Sequence, residues 1–260
     1  MGDTVEKLLT RGNPKIEKGT KRGFLTHILH LAPHKLSGYN VCASATPGCI
    51  ASCLNTAGRG GMFGVGITTG NTGQELVDKI HDGSVMNKIQ AARIRKTKLY
   101  FEDRDNFLAL LVADIERSIK YAAKKGLTPV FRLNGTSDVK WENVAIGKHK
   151  NIFAMFPNVQ FYCYTKHSNR KDLPANYSLT FSRAESNENK AIEALSNGMN
   201  VAVVFNTPKG KALPDTYLNH PVIDGDKDDL RFLDPKRVIV GLRAKGKAKT
   251  DTSGFVVKVS

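Results

Sequence analysis

The chain has 260 residues, 40% of them hydrophobic, enough to bury one sizeable core in a single α/β domain. No stretch reaches the roughly 18 apolar residues of a membrane span, and Met1-Gly-Asp-Thr-Val-Glu-Lys lacks a basic start followed by an apolar block, so a soluble cytoplasmic protein without a membrane partner is expected. Lysine and arginine number 39 against 24 acidic residues, a formal net charge of +15, which keeps nucleic acid or an anionic cofactor in view as a partner.

Residues 1–22 read as a basic N-terminal arm with a short helix, ahead of one barrel-like α/β domain over 23–260. Phe24 to Leu31 is the first apolar run and suits a strand. A loop over 40–54 follows, rich in small and turn-forming residues, and it holds three of the four cysteines: Cys42, Cys49 and Cys53. Three thiolates on one loop can converge on a soft metal centre, an iron–sulfur cluster or zinc. The other readings are a disulfide with a spare thiol or three small buried hydrophobes. For zinc the fourth ligand would be Cys163 or one of His27, His30 and His34. Cys163 alternates with Tyr162 and Tyr164 in a strand, however, and reads equally as a buried structural thiol.

The stretch 58–70 is too glycine-dense for regular structure. It lacks both Gly-Lys-Ser/Thr and a Gly-x-Gly-x-x-Gly between strand and helix, so no nucleotide fingerprint is met. Residues 74–98 and 105–125 are helical in pattern. In the second, Phe107, Leu108, Leu111, Ile115 and Ile119 form one stripe that Gly126 closes. Short apolar strands then alternate with polar turns and helix-like sequence at 128–133, 158–164, 177–181, 200–205 and 237–242, with a helix over 188–197. About six strands alternating with helices predict an α/β fold whose parallel sheet curls into a full or partial barrel. Function then belongs at the carboxyl edge of the sheet. There Arg132, Asn134, Thr136 and Asp138 would meet Tyr164 and Lys166, Ser182 and Glu185, Asn206, Arg243 and Lys245, under the cysteine loop. The plainer reading makes Thr136, Ser137 or Asp138 a helix N-cap and Glu185 a surface charge.

Several of these blocks resemble a known family. Cys42 to Gly60, Arg132-Leu-Asn-Gly-Thr-Ser-Asp138, Phe161-Tyr-Cys-Tyr-Thr-Lys166, Leu173-Pro-Ala-Asn-Tyr-Ser-Leu-Thr-Phe-Ser182 and Val222 to Phe232 resemble the bacteriophage family named after gene product 88, from about residue 36 to the end. A phage origin would make the compartment the host cytoplasm. More distantly, the cysteine loop after an early strand and the polar strand ends are similar to radical S-adenosylmethionine (SAM) enzymes, which use a six-stranded partial barrel of TIM type and hold a four-iron cluster through three thiolates. The spacing here is C-x6-C-x3-C, where that group has C-x3-C-x2-C. The resemblance implies Cys42, Cys49 and Cys53 as cluster ligands and Asn134, Thr136, Asp138, Lys166, Ser182 and Glu185 as cofactor-binding residues. It leaves the substrate unidentified.

A rival reading is a metal-stabilised basic protein that binds nucleic acid without catalysis through runs at 15–22, 93–98, 166–171 and 243–249; another is an inhibitor of a host protein. The carboxylates Asp224, Asp226, Asp228 and Asp229 start like a calcium loop. Asp229 in place of glycine and Pro235 in place of glutamate exclude that type, leaving a magnesium site or a solvated loop paired with Arg231 and Arg237. There is no Gly-x-Ser-x-Gly for acyl transfer.

Overall fold

The computed structural model describes residues 5–11, 14–61, 72–170 and 172–259. In chain order the elements are β1 (Leu9–Thr10), α1 (Pro14–Thr20), β2 (Phe24–Leu29), α2 (Pro47–Ala51), α3 (Thr72–Asp82), α4 (Lys88–Glu102), α5 (Arg104–Lys124), β3 (Thr128–Arg132), α6 (Ile152–Met155), β4 (Gln160–Thr165), β5 (Tyr177–Ser182), α7 (Glu188–Ser196), β6 (Asn200–Phe205), β7 (Thr216–Tyr217), β8 (His220–Asp224) and β9 (Ile239–Arg243). Nine strands form one open sheet in the order β1-β2-β3-β4-β5-β6-β9-β8-β7. The run from β2 through β9 to β8 is parallel, and only the two short edge strands pair antiparallel.

The six strands expected from the sequence are β2, β3, β4, β5, β6 and β9, and they stand side by side in chain order. A closed barrel is not formed, because β1 and β7 are edges. The three extra strands were illegible for a physical reason: β1 and β7 are two residues long, and β8 begins His-Pro within a polar loop.

Strand alternation sorts the side chains onto two faces. Phe131, Phe161, Cys163 and Tyr177 point to the face covered by α5, where Phe107, Leu108, Leu111 and Ile115 form the anticipated stripe. Phe181, Val201, Val203, Phe205 and Ile239 continue that face under α7. Cys163 is thus a buried core thiol that alternates away from Tyr162 and Tyr164. The opposite face carries Val130 and Tyr162, packed by Leu230 and Phe232 of the segment ahead of β9, where Arg231–Leu233 form one 3-10 turn.

The helical pattern over 74–98 is two helices. Gly83, at a φ of +87° that favours glycine, ends the first, and the Asn87 side chain accepts from the Gln90 amide, 2.9 Å, to start the second. The expected loose arm is held down. The amides of Leu8 and Leu9 donate to Asp114, and Lys96 Nζ donates to the Leu8 carbonyl, 2.6 Å. Both leucines are buried, so the arm is part of the core layer. The short helix foreseen within it is α1.

Two further expectations change. Asp138 is followed by a single 3-10 turn, Trp141–Asn143, whose N-cap is Lys140, so Thr136, Ser137 and Asp138 are not N-caps. The acidic loop is not solvated: Asp228 and Asp229 are buried, paired with Arg22, Arg231 and Arg132, and the described residues give Arg237 no carboxylate partner. Of the glycine-dense stretch, 62–70 lies outside the described residues.

Candidate metal and cofactor site at the carboxyl edge

The cysteine loop folds over the carboxyl ends of β3, β4 and β5 and is tied to them at separate points. The Cys42 Sγ lies 3.7 Å from the Thr136 carbonyl oxygen, and the Thr136 hydroxyl donates to the Leu31 carbonyl at 2.6 Å. Ser44 Oγ is 3.1 Å from His167 Nδ1. Glu185 holds the start of α2: its carboxylate accepts from the Thr46 hydroxyl at 2.8 Å and from the Gly48 amide at 2.7 Å, while Thr46 Oγ1 accepts from the Cys49 amide at 3.2 Å. Gly48 leaves room there, since a Cβ would stand 2.1 Å from Ser253 Oγ and 2.8 Å from Glu185 Oε2 and would push those side chains away.

Beyond Cys53 the loop is fixed to α4. Asn55 donates to Gln90 Oε1, 2.8 Å, and Arg93 donates to the Asn55 carbonyl, 2.7 Å. From the other side comes the C-terminal segment, in which Ser52 Oγ meets Asp251 at 3.5 Å and Cys49 packs with Ala184, Ala248, Phe255 and Val256.

The expected strand-end residues form a linked row beneath this loop. Asp138 accepts from the Lys166 amide, 2.8 Å, and Lys166 Nζ donates to Ser182 Oγ, 3.0 Å, while lying 5.5 Å from the centre of the Phe255 ring. Asp138 also faces His167 at 3.9 Å and Arg170 at 3.8 Å. Asn134 is different. Its carbonyl oxygen accepts from Ser137, the Val139 amide and Trp141, and its amide donates to the Val139 carbonyl, so it shapes its own turn. Arg132 and Tyr164 engage Asp229, Arg243 and Lys245 engage Asp226, and Asn206 accepts from the Val259 amide.

All four cysteines are free thiols. Burial pushes the Cys42 thiol up to about 12 and the Cys53 thiol up to about 11. Cys49 adds to the rise at both and Cys53 at Cys42, whereas Arg93 and Lys166 pull Cys53 down, which puts the three sulfurs and two cations in one electrostatic neighbourhood. Among the described residues no three His, Cys, Asp or Glu side chains already form a metal cage. What the loop does supply is donor type: three thiols of the kind soft metals take, with Arg93 and Lys166 near Cys53. Cys163 lies in the helix-side core, and His27 is buried against Phe131.

Arg93, His167, Ser44 and Asp251 escaped the sequence reading as site residues. The Ser44–His167 contact joins positions 123 apart in the chain, and Ser52–Asp251 joins positions 199 apart, separations that no local pattern announces. A groove of about 910 Å³, lined by Glu142, Asn151, Phe153, Pro157 and Asn176 among others, takes nothing from the cysteine loop.

No helix among the described residues is long and apolar enough to cross a membrane. No curated protein and no solved structure matches the chain. The family model for gene product 88 matches residues 7–259, which takes in the cysteine loop and every strand of the sheet. The chain belongs to this phage gene product 88 family.

Proposed function

We propose that the chain is an iron–sulfur protein in which Cys42, Cys49 and Cys53 hold a four-iron cluster, on a fold whose six sequential parallel strands act as the staves of an incomplete barrel, with a radical SAM-like reaction on an unidentified substrate as its activity. The observation that carries the reading is that one loop bearing three free thiols is anchored over the carboxyl ends of adjacent parallel strands. Cys42, Cys49 and Cys53 would hold the cluster, which would supply a binding point for the amino and carboxylate groups of SAM and the electron for its reductive cleavage. Around it, Lys166 and Ser182 present a cation and a hydroxyl, and Asp138 with Thr136 lines the β3 side. Glu185 has the separate task of holding the turn that carries Cys49.

The test is metal and sulfide analysis with absorption spectra on protein purified without oxygen, beside a Cys42→Ala, Cys49→Ala, Cys53→Ala variant. About four irons and four sulfides per chain, with a brown colour that the variant lacks, support the reading. Stoichiometric zinc without colour replaces it with a structural zinc site. No metal in either protein overturns it.

A further inference from the structure

The four basic runs visible in the sequence are largely engaged within the molecule. Arg22 pairs with Asp228, and Lys18 Nζ donates to the Asp226 carbonyl. Lys96 is buried on Leu8, Arg93 on Asn55 and Arg170 on Glu142, while Arg243 and Lys245 face Asp226 and Lys247 faces Asp78. Among the described residues most cations of these runs therefore already have a partner within the fold, although the chain carries a formal net charge of +15.

A different surface is open. At the end of α5, Lys120, Tyr121, Lys124 and Lys125 are exposed. Arg11, from the segment just after β1, lies over the Tyr121 ring with its guanidinium carbon 3.7 Å from the ring centre, and Lys125 Nζ is 5.9 Å from it. Among the described residues no carboxylate stands within ion-pair distance of Arg11, Lys120, Lys124 or Lys125, and Asp114, the buried acid of this helix, already binds Arg117. Glu116 and Glu17 are the acids at the rim. Cations at a helix C-terminus also relieve its dipole, which accounts for Lys124 and Lys125. It does not account for Arg11, which arrives from another element, nor for an aromatic ring, 39% exposed, flanked by Arg11 and Lys125.

We infer that the Arg11–Lys120–Tyr121–Lys124–Lys125 surface binds single-stranded nucleic acid, the cations tracking phosphates and Tyr121 offering its ring to a base. Four phosphate contacts and one stacking platform are the pattern of sequence-tolerant single-strand binding. This surface is independent of the cysteine loop, so the proposal stands or falls apart from the cluster.

The experiment is fluorescence anisotropy with a labelled oligothymidylate of about 20 nucleotides, longer than the ~4–16 nucleotides of a typical single-strand site. Binding is expected with a slope of log K against log salt of about −3, a loss of about 50-fold from ~50 to ~200 mM salt. Lys124→Glu with Lys125→Glu should flatten that slope by more than half, while Lys209→Glu with Lys236→Glu, two exposed lysines elsewhere, should leave it unchanged. Tyr121→Ala should weaken binding about tenfold at constant slope, with Tyr121→Phe close to the parent. Absence of binding below ~100 μM at ~50 mM salt overturns the proposal, as does binding indifferent to the Lys124 and Lys125 reversals. Duplex DNA binding as tightly as the oligothymidylate, with Tyr121→Ala silent, overturns the single-strand assignment. Melting temperatures, expected a few degrees lower for the Lys124 and Lys125 reversals, which oppose the helix dipole, and close to the parent for the others, separate lost contacts from lost fold.

Discussion

The loop of residues 40–61 and the loop of residues 224–234 lean on the same sheet, yet their polar groups are used in opposite ways. In the acidic loop every buried carboxylate has a counter-charge. Asp229 accepts from Arg132, Tyr162 and Tyr164, and Asp228 meets Arg22, Arg231 and the Leu230 amide. In the cysteine loop the hydrogen bonds hold chiefly the backbone and the neighbouring side chains, at Ser44, Thr46, Gly48, Ser52 and Asn55, and the Cys42 thiol meets the Thr136 carbonyl at 3.7 Å rather than a counter-charge. A satisfied network of charges stabilises a layer of the fold. Burial raises the Cys42 and Cys53 thiols well above their usual range, so the frame of the cysteine loop surrounds neutral thiols and no satisfied network of charges.

The largest expected effect breaks the acidic loop. Asp229→Ala leaves Arg132 without its carboxylate in a buried site and should cost about 3–5 kcal/mol in urea unfolding, since removing one partner of a buried pair strands the other. The alkylation rates of Cys42, Cys49 and Cys53 in the folded variant should stay at parental values. If they rise together, the two loops are one cooperative unit and the contrast fails.

Acid probes the strand that lies between the two regions. Burial lowers His27 to about 4, with Arg11 and Lys7 adding to the drop and Asp114 opposing it. Burial likewise lowers His30 to about 3, with Arg93 of the cysteine side and Arg132 of the acidic side both contributing. Each folded-state value lies below the unfolded one, so the unfolded chain takes up protons first: stability is full above pH ~6.5 and is lost as pH falls toward the folded values. For His27 the loss by pH ~4 is on the order of 3 kcal/mol, and His27→Leu should remove that part of the acid slope in unfolding titrations. An unchanged slope would mean that other groups drive acid unfolding.

These two regions also differ in how far the sequence announced them. The strands β2, β3, β4, β5, β6 and β9 were legible because each is a short apolar run ending in polar turn residues, and the stripe on α5 because its period is helical. The cysteine loop, with Thr136, Asp138, Lys166, Ser182 and Glu185 beneath it, was legible because strand ends meet at one edge of a parallel sheet. The role of Asn134 was not, since an asparagine that closes its own turn and one that binds a ligand look alike in one dimension. Nor was the acidic loop's burial: four aspartates in ten residues read as solvated until Arg22 and Arg132, each from a distant element, are known to face them.

Within the cysteine loop, Gly48→Ala should have the next largest effect. A methyl group 2.1 Å from Ser253 Oγ forces that side chain away and disturbs the Asp251 turn it serves, at a cost of about 1–3 kcal/mol. Bound metal per chain should fall with it, whereas a stable protein with full metal content would show that the turn can open without moving Cys49.

Glu185→Gln gives the smallest change and the sharpest one. The glutamine oxygen can still accept from the Gly48 amide, while its NH2 group faces Thr46 Oγ1, the atom that also accepts from the Cys49 amide. A charge-assisted clamp becomes a neutral one, worth about 1 kcal/mol less. That is too little to unfold the loop, yet it acts at the one turn that carries Cys49. In metal-free protein, iodoacetamide labelling read by mass spectrometry should quicken at Cys49 and stay constant at Cys42, which is anchored separately by the Thr136 carbonyl. Equal quickening at all three thiols would mean that Glu185 holds the loop as a whole, and no change at Cys49 would mean that its position is set by the packing of Ala184, Ala248, Phe255 and Val256 instead. Either result moves the rigid frame from a single carboxylate to a wider surface, and with it the place where the position of Cys49 can be tuned.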